Sequence, residues 1–164
     1  MTSFRPRPFR LSAASAAACA LLALAGCSAG DARARVTPPP APPADVAQLC
    51  AALHEELPAE VSGEERRDTE PASGLTAAWG GAAIVLRCGV PRPPEMSDPK
   101  AEGVEVDGVG WLVQSLNGGG KRFTTTYRTA YVEVSVAAGA AGGMPAGALT
   151  YFAGPVKEAV PSTL

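Results

Sequence analysis

Few residue types in this chain can do chemistry, and their spacing decides what that chemistry would be. There is one histidine, His54, in 164 residues. A Ser-His-Asp hydrolase needs a histidine poised by an acid. His54 instead flanks an apolar stripe beside Leu53 and Leu57, as a boundary residue of a helix would. A Gly-x-Ser-x-Gly elbow is absent. Glu55, Glu56, Glu64 and Glu65 are close in sequence, as the two carboxylates of a glycosidase must be in space. Two of them fall on an exposed helix face and two in a polar stretch, which reads as a solvated surface. Gly118-Gly119-Gly120-Lys121 lacks the earlier glycine and the following Ser or Thr of a phosphate loop, and reads as a turn. No calcium-loop pattern is present. Arg66, Arg67, Arg87, Arg92, Arg122 and Arg128 remain. If several converged near Trp79 or Trp111 they would bind an anionic ligand, since guanidinium forks match phosphate and carboxylate. The plainer expectation is surface pairing with the surplus acids. Arg87 differs, because it sits inside an apolar strand, where a buried arginine must be paired. No catalytic, cofactor-binding or metal-ligating residue is expected, and the chain is not expected to be an enzyme.

The cysteines point to a location rather than a reaction. Arg5, Arg7 and Arg10 precede a run from Leu11 to Ala25 made only of Ala, Leu, Ser and Cys19. This is the charged start and apolar centre of a secretory signal, too short to span a bilayer as a helix. The separated arginines favour the general secretory route over the twin-arginine one. The run ends in Leu24-Ala25-Gly26-Cys27, which resembles the lipobox of bacterial lipoproteins. That resemblance implies cleavage before Cys27 and a diacylglyceryl group on its thiol. Two acyl chains suffice for stable anchoring where one is marginal. An ordinary secretory signal that happens to contain Cys27 is the alternative. Loss of residues 1–26 removes three arginines and no acid, so the formal charge goes from −2 to −5. That balance argues against nucleic acid as a partner and against electrostatic adhesion to anionic lipid.

Cys50 and Cys88 then remain as an even pair in an oxidising compartment, which predicts a disulfide. A redox pair would be Cys-x-x-Cys, and a zinc site would need more Cys or His nearby. Neither pattern exists here.

The elements that would position these residues can be read from periodicity. Residues 28–44, with their run of prolines, predict a polyproline II tether reaching ~50 Å. A folded domain is expected over 45–164, enough for one core. Asp45 is read as a helix N-cap, with Gln48 completing a loose capping box. Val46, Leu49, Cys50, Leu53 and Leu57 repeat at helical spacing up to Pro58. Residues 83–90 form an apolar strand closed by prolines. Residues 64–69 are polar and suit an edge strand or loop. Asp107-Gly108 between apolar runs predicts a two-residue hairpin turn. Residues 122–127 and the alternating 130–136 give further strands, the last with Glu133 on a half-exposed face. An Ala/Gly-rich loop over 137–147 precedes a helix carrying Leu149, Phe152, Val156 and Val160, kinked or restarted at Pro155. This order predicts an α+β fold, a small antiparallel sheet with an N-terminal and a C-terminal helix packed on one face. A Cys50–Cys88 bond would tie helix to strand.

Several ordered blocks go further. They are Cys50-Ala51-Ala52-Leu53-His54, Ala77-Ala78-Trp79-Gly80, residues 84–91, Val106-Asp107-Gly108-Val109 with Trp111, Arg122-Phe123-Thr124-Thr125, and Ala130-Tyr131-Val132-Glu133-Val134. Together, over about residues 50–136, they resemble the actinobacterial family called domain of unknown function 3515. That resemblance implies a small exported lipoprotein or membrane-anchored protein and brings no activity with it. The chain departs from the family in its Ala/Gly-rich loop and at Pro155.

The sequence therefore predicts three parts: a lipoprotein signal peptide over 1–26, a lipidated Cys27 with its tether over 27–44, and a single domain over 45–164. The expected location is the outer face of the cytoplasmic membrane. The expected role is a non-catalytic envelope binding or accessory module with a protein partner or polymer, the alternative being a small-ligand carrier.

Overall fold

The structure is a computed structural model that describes Met1 and residues 33–164. The signal segment, Cys27 and the first part of the tether lie outside the described residues. Everything below concerns the unit spanning Asp31–Leu164.

The element order is β1 (Ala34–Arg35), α1 (Ala44–Glu56), β2 (Glu60–Val61), β3 (Glu64–Arg67), β4 (Thr69–Glu70), β5 (Thr76–Trp79), β6 (Ile84–Cys88), β7 (Gly103–Val106), β8 (Val109–Ser115), β9 (Lys121–Thr125), β10 (Val132–Val136) and α2 (Thr150–Ala159). Eight strands form one antiparallel sheet in the order β2-β3-β5-β6-β10-β9-β8-β7. A second, two-stranded sheet pairs β1 with β4 in parallel. The expected small sheet with two helices is therefore corrected to a mostly-β domain. Glu64–Arg67, read as an edge strand or loop, lies inside the sheet between β2 and β5. Its polar side chains obscured the strand, because the backbone pairs regardless of what the side chains face.

Alternation along the strands divides the sheet into two faces. One carries Trp79, Ile84, Leu86, Trp111, Phe123, Val132, Val134 and Val136, and α1 and α2 cover it to make the main core. Leu53, Leu149, Phe152, Val156 and Val160 are all fully buried there. Phe152 meets Trp79 edge-on, with centroids 5.1 Å apart, and the Trp79 indole donates to Pro58 O at 3.1 Å. Pro155 sits inside α2. The Ala/Gly-rich loop ahead of α2 holds short 3₁₀ turns at Ala141–Gly143 and Pro145–Leu149.

The hairpin turn falls where expected: Val106 pairs with Val109, and Asp107 and Gly108 have φ of 49° and 77°. Both values lie in the left-handed region that a type I′ turn requires. The helix start differs. Ala44 opens α1, Pro43 occupies the cap, and no side chain caps the helix. Asp45 therefore falls in the first turn, where its carboxylate suits the positive end of the helix dipole.

The tether reading also changes. Ala34 N donates to Asp68 O at 2.8 Å and Val36 N to Glu70 O at 3.2 Å. Ala34, Val36 and Ala78 form a small core on the sheet face away from the helices. From Arg33 onward the segment belongs to the domain, since its alternating apolar side chains find a surface to cover. Gly89, at φ 81°, lies so close to Pro42 that a Cβ there would meet Pro42 Cγ at 2.9 Å.

Cys50 of α1 and Cys88 of β6 form a disulfide with Cα atoms 5.5 Å apart. It joins the helical layer to the middle of the sheet.

Candidate functional site

The six arginines separate into three groups along the sheet. Arg87 of β6 and Arg122 of β9 both turn to Glu133 of β10, on the face opposite the helices. Arg87 Nε donates to Glu133 Oε1 at 2.9 Å and its terminal nitrogen to Oε2 at 3.0 Å, a bidentate pair. Arg122 Nε lies 3.4 Å from Glu133 Oε2, near enough for charge contact without hydrogen-bond geometry. Glu133 is 6% exposed; the half-exposed face predicted for it is closed by the two arginines. The pairing demanded of Arg87 by its apolar strand is met. Thr124, opposite Glu133 in the ladder, is fully buried and its hydroxyl has no partner among the described residues.

Arg92 and Arg128 line a cleft of about 460 Å³ at the β7–β9 end of the sheet. The chain between Arg92 and Gly103 forms one wall, braced by Arg92, which donates to Ser97 Oγ at 2.8 Å and Met96 O at 3.0 Å. Trp111, Leu112 and Tyr131 contribute the apolar part, and Asp98 and Glu102 add acids. Tyr127 lines the cleft at φ 53° and is 62% exposed. A bulky residue in the left-handed region is held there only if its surroundings insist. They do: Thr163 N donates to Tyr127 O at 2.9 Å, Thr129 N to Pro161 O at 3.1 Å and Arg128 to Val160 O at 2.9 Å. The last residues of the chain thus fix the tyrosine turn. Trp111 is 1% exposed, and its indole N–H has no acceptor among the described residues. Nothing in the sequence marks that orphan, because acceptor placement is a tertiary property.

Arg66 and Arg67 line a third region, a cleft of about 570 Å³ at the β3–β5 end, with Arg33, His54, Asp68, Thr69, Ser73 and Thr76. Arg66 donates to His54 Nε2 at 2.8 Å, to His54 O at 3.3 Å and to Leu57 O at 3.2 Å. Accepting at Nε2 fixes the imidazole as its neutral Nδ1–H tautomer. Burial, and then the Arg66 charge, hold the His54 pKa below its ordinary value, offset in part by Glu55. Burial likewise lowers Arg66. Arg67 pairs with Glu65 at 3.0 Å. Arg33 was assigned to the tether by sequence reasoning and so missed; only the docking of β1 brings it here.

Among the described residues, His54 makes no hydrogen bond to a carboxylate. Among the described residues, no three of His, Cys, Asp and Glu come together as metal ligands would. Among them, too, no helix is long and apolar enough to cross a membrane. Gly118–Gly120 form the β8–β9 turn, closed by Leu116 N donating to Gly120 O at 2.9 Å.

Neither the curated proteins nor the solved structures contain a match to this chain. A family match does exist and runs over residues 11–164, nearly the whole length. The chain belongs to the family described as protein of unknown function DUF3515.

Proposed function

We propose that this protein is a lipid-anchored extracytoplasmic binding module, non-catalytic itself, that holds an envelope protein partner in the Trp111 cleft. The observation that carries the reading is the lining of that cleft: exposed Tyr127 with Tyr131 and Met96 beside Arg92 and Arg128, and Trp111 buried among them. Aromatic residues, methionine and arginine are the types enriched where protein interfaces concentrate their binding energy. The backbone of Tyr127 is held by the last residues of the chain, so its exposed side chain is presented from a fixed turn. Anchoring on Cys27 rests on the signal pattern and the lipobox-like residues before it. It would place the protein on the outer face of the cytoplasmic membrane.

A photo-crosslinking residue in place of Tyr127, compared with one at exposed Ala51 on α1, tests the reading in cells. A specific protein adduct from position 127 alone supports it. Equal or absent adducts from both positions would sink it. Cys27→Ala tests the anchor separately and should abolish palmitate incorporation and membrane retention.

One observation favours a second reading, a small-ligand carrier. The buried indole N–H of Trp111 lacks an acceptor among the described residues, and a ligand with a carbonyl or hydroxyl oxygen would supply one. A Trp79→Phe variant leaves Trp111 as the only tryptophan, so its emission would report such a ligand.

A further inference from the structure

We propose that the cleft between His54, Arg66 and Arg33 binds the phosphate of an anionic glycerophospholipid headgroup in the leaflet that holds the protein. The proposal goes beyond the Trp111 cleft, which lies at the other end of the sheet, and it rests on the lipid-anchored reading of Cys27.

The cleft's own chemistry asks for an anion. Arg66 is half-buried, and its hydrogen bonds go to two carbonyl oxygens and an imidazole nitrogen, none to a carboxylate. Burial lowers the Arg66 pKa, and the nearby Glu55 and Asp68 charges offset that only in part. Arg33 and Arg67 line the same cavity, where Asp68 is the one carboxylate among the described lining residues. With His54 neutral and Arg67 paired to Glu65, Arg33 and Arg66 face Asp68 in the lining, a positive balance. A concave surface of that sign, in a domain whose overall balance is acidic, focuses field on an anion. Guanidinium groups bind phosphate through paired N–H donors. At about 570 Å³ the cavity has room for a headgroup.

Chain length supplies the source. Six residues take the chain from Cys27 to Arg33. Fully extended they cover at most ~22 Å. Because β1 is docked on β4, the freedom of a long tether is lost at Arg33. A lipidated Cys27 therefore keeps Arg33, at the mouth of the cleft, within reach of the headgroup layer.

His54 is the single histidine of the chain, so its ring resonances report this cleft without interference. The experiment uses the full-length processed protein, purified without a histidine tag in nonionic detergent. It is titrated with glycerol 3-phosphate, then placed in nanodiscs of phosphatidylglycerol or of phosphatidylcholine. The expected result is a saturable shift of the His54 signals by glycerol phosphate, with the imidazole titration moving to higher pH as the anion stabilises the protonated ring. Phosphatidylglycerol discs should reproduce that shift and phosphatidylcholine discs should not. Arg66→Gln should weaken binding at least tenfold. Arg33→Gln, an exposed change that leaves the fold intact, should weaken it severalfold.

A shift with glycerol phosphate but with neither disc would overturn the headgroup source and assign the site to a soluble phosphorylated molecule. No shift with any probe, or binding unchanged in both variants, would overturn the site. The detergent titration does not need the anchor, and intact mass reports acylation at Cys27. Failure of the anchor and failure of the cleft are thus distinguishable.

Discussion

Glu133 holds the one buried carboxylate of the described residues, and two arginines from flanking strands depend on it. Glu133→Ala leaves both guanidinium groups with unpaired charge beside a buried Thr124 hydroxyl. Removing one partner of such a network costs about 2–3 kcal/mol once partial exposure of the arginines is allowed for, which a urea midpoint would read. Glu133→Gln should cost less, since it keeps the shape and one acceptor. His54 acts in a different way. Its folded pKa lies below the ordinary 6.5, from burial first and Arg66 second, so the unfolded chain takes up a proton more readily. The stability contributed by neutral His54 is complete above pH 6.5 and is lost as pH falls from there through the folded value. His54→Gln retains an acceptor for Arg66 and cannot titrate. Unfolding measured between pH ~7 and ~5 should show the natural chain losing stability relative to this variant. Parallel curves would show that the histidine is not involved.

At the scale of elements, the least expected is β1. Its two residues make only two ladder pairs, Ala34 with Thr69 and Arg35 with Glu70, yet they decide where the N-terminal segment ends and the domain begins. Ala34→Pro removes the N–H that donates to Asp68 O and should free the segment without unfolding the sheet. Hydrogen exchange at Val36, whose amide donates to Glu70 O, should accelerate at least tenfold while strands β6 and β10 stay protected. Unchanged protection at Val36 would mean that side-chain burial of Ala34 and Val36, not the ladder, holds the segment. Gly89 touches the same segment from below. At φ 81°, with Pro42 so close, Gly89→Ala should lower stability by about 1–2 kcal/mol from the left-handed backbone alone.

For the whole molecule, the sheet sets the distribution of function. The His54–Arg66 cleft and the Trp111 cleft occupy opposite ends, with the Glu133 network between them. Four ladder steps from β5 to β8, at about 4.8 Å each, separate the region near the docked N-terminal segment from the region offered to a partner. The disulfide ties the helical layer to this frame. Its partners are 38 residues apart in sequence, and in the chain-entropy model closing that loop contributes about 3–4 kcal/mol. Reduction, or Cys88→Ser, should lower the unfolding free energy from a urea titration by that amount. Two reactive thiols in the non-reduced protein would show that the bond does not form.

Local rules determined much of this in advance. Periodicity located both helices and most of the longer strands, Asp107-Gly108 specified its turn through positive φ, and Arg87 in an apolar strand required a partner. The family resemblance, too, was carried by residues that local spacing places on these elements. What the tertiary structure alone decided is which distant groups meet. Polar strands such as Glu64–Arg67 show no apolar alternation, so spacing leaves them open between edge strand and loop, and sheet pairing places them inside the sheet. The proline-bearing segment reads as a spacer until a surface exists for Ala34 and Val36 to cover. Arg33 joins His54 and Arg66, and Glu133 joins Arg87 and Arg122, across separations that no local pattern encodes. Their meeting depends on strand order, which is set by the burial of the whole sheet rather than by any one of its strands.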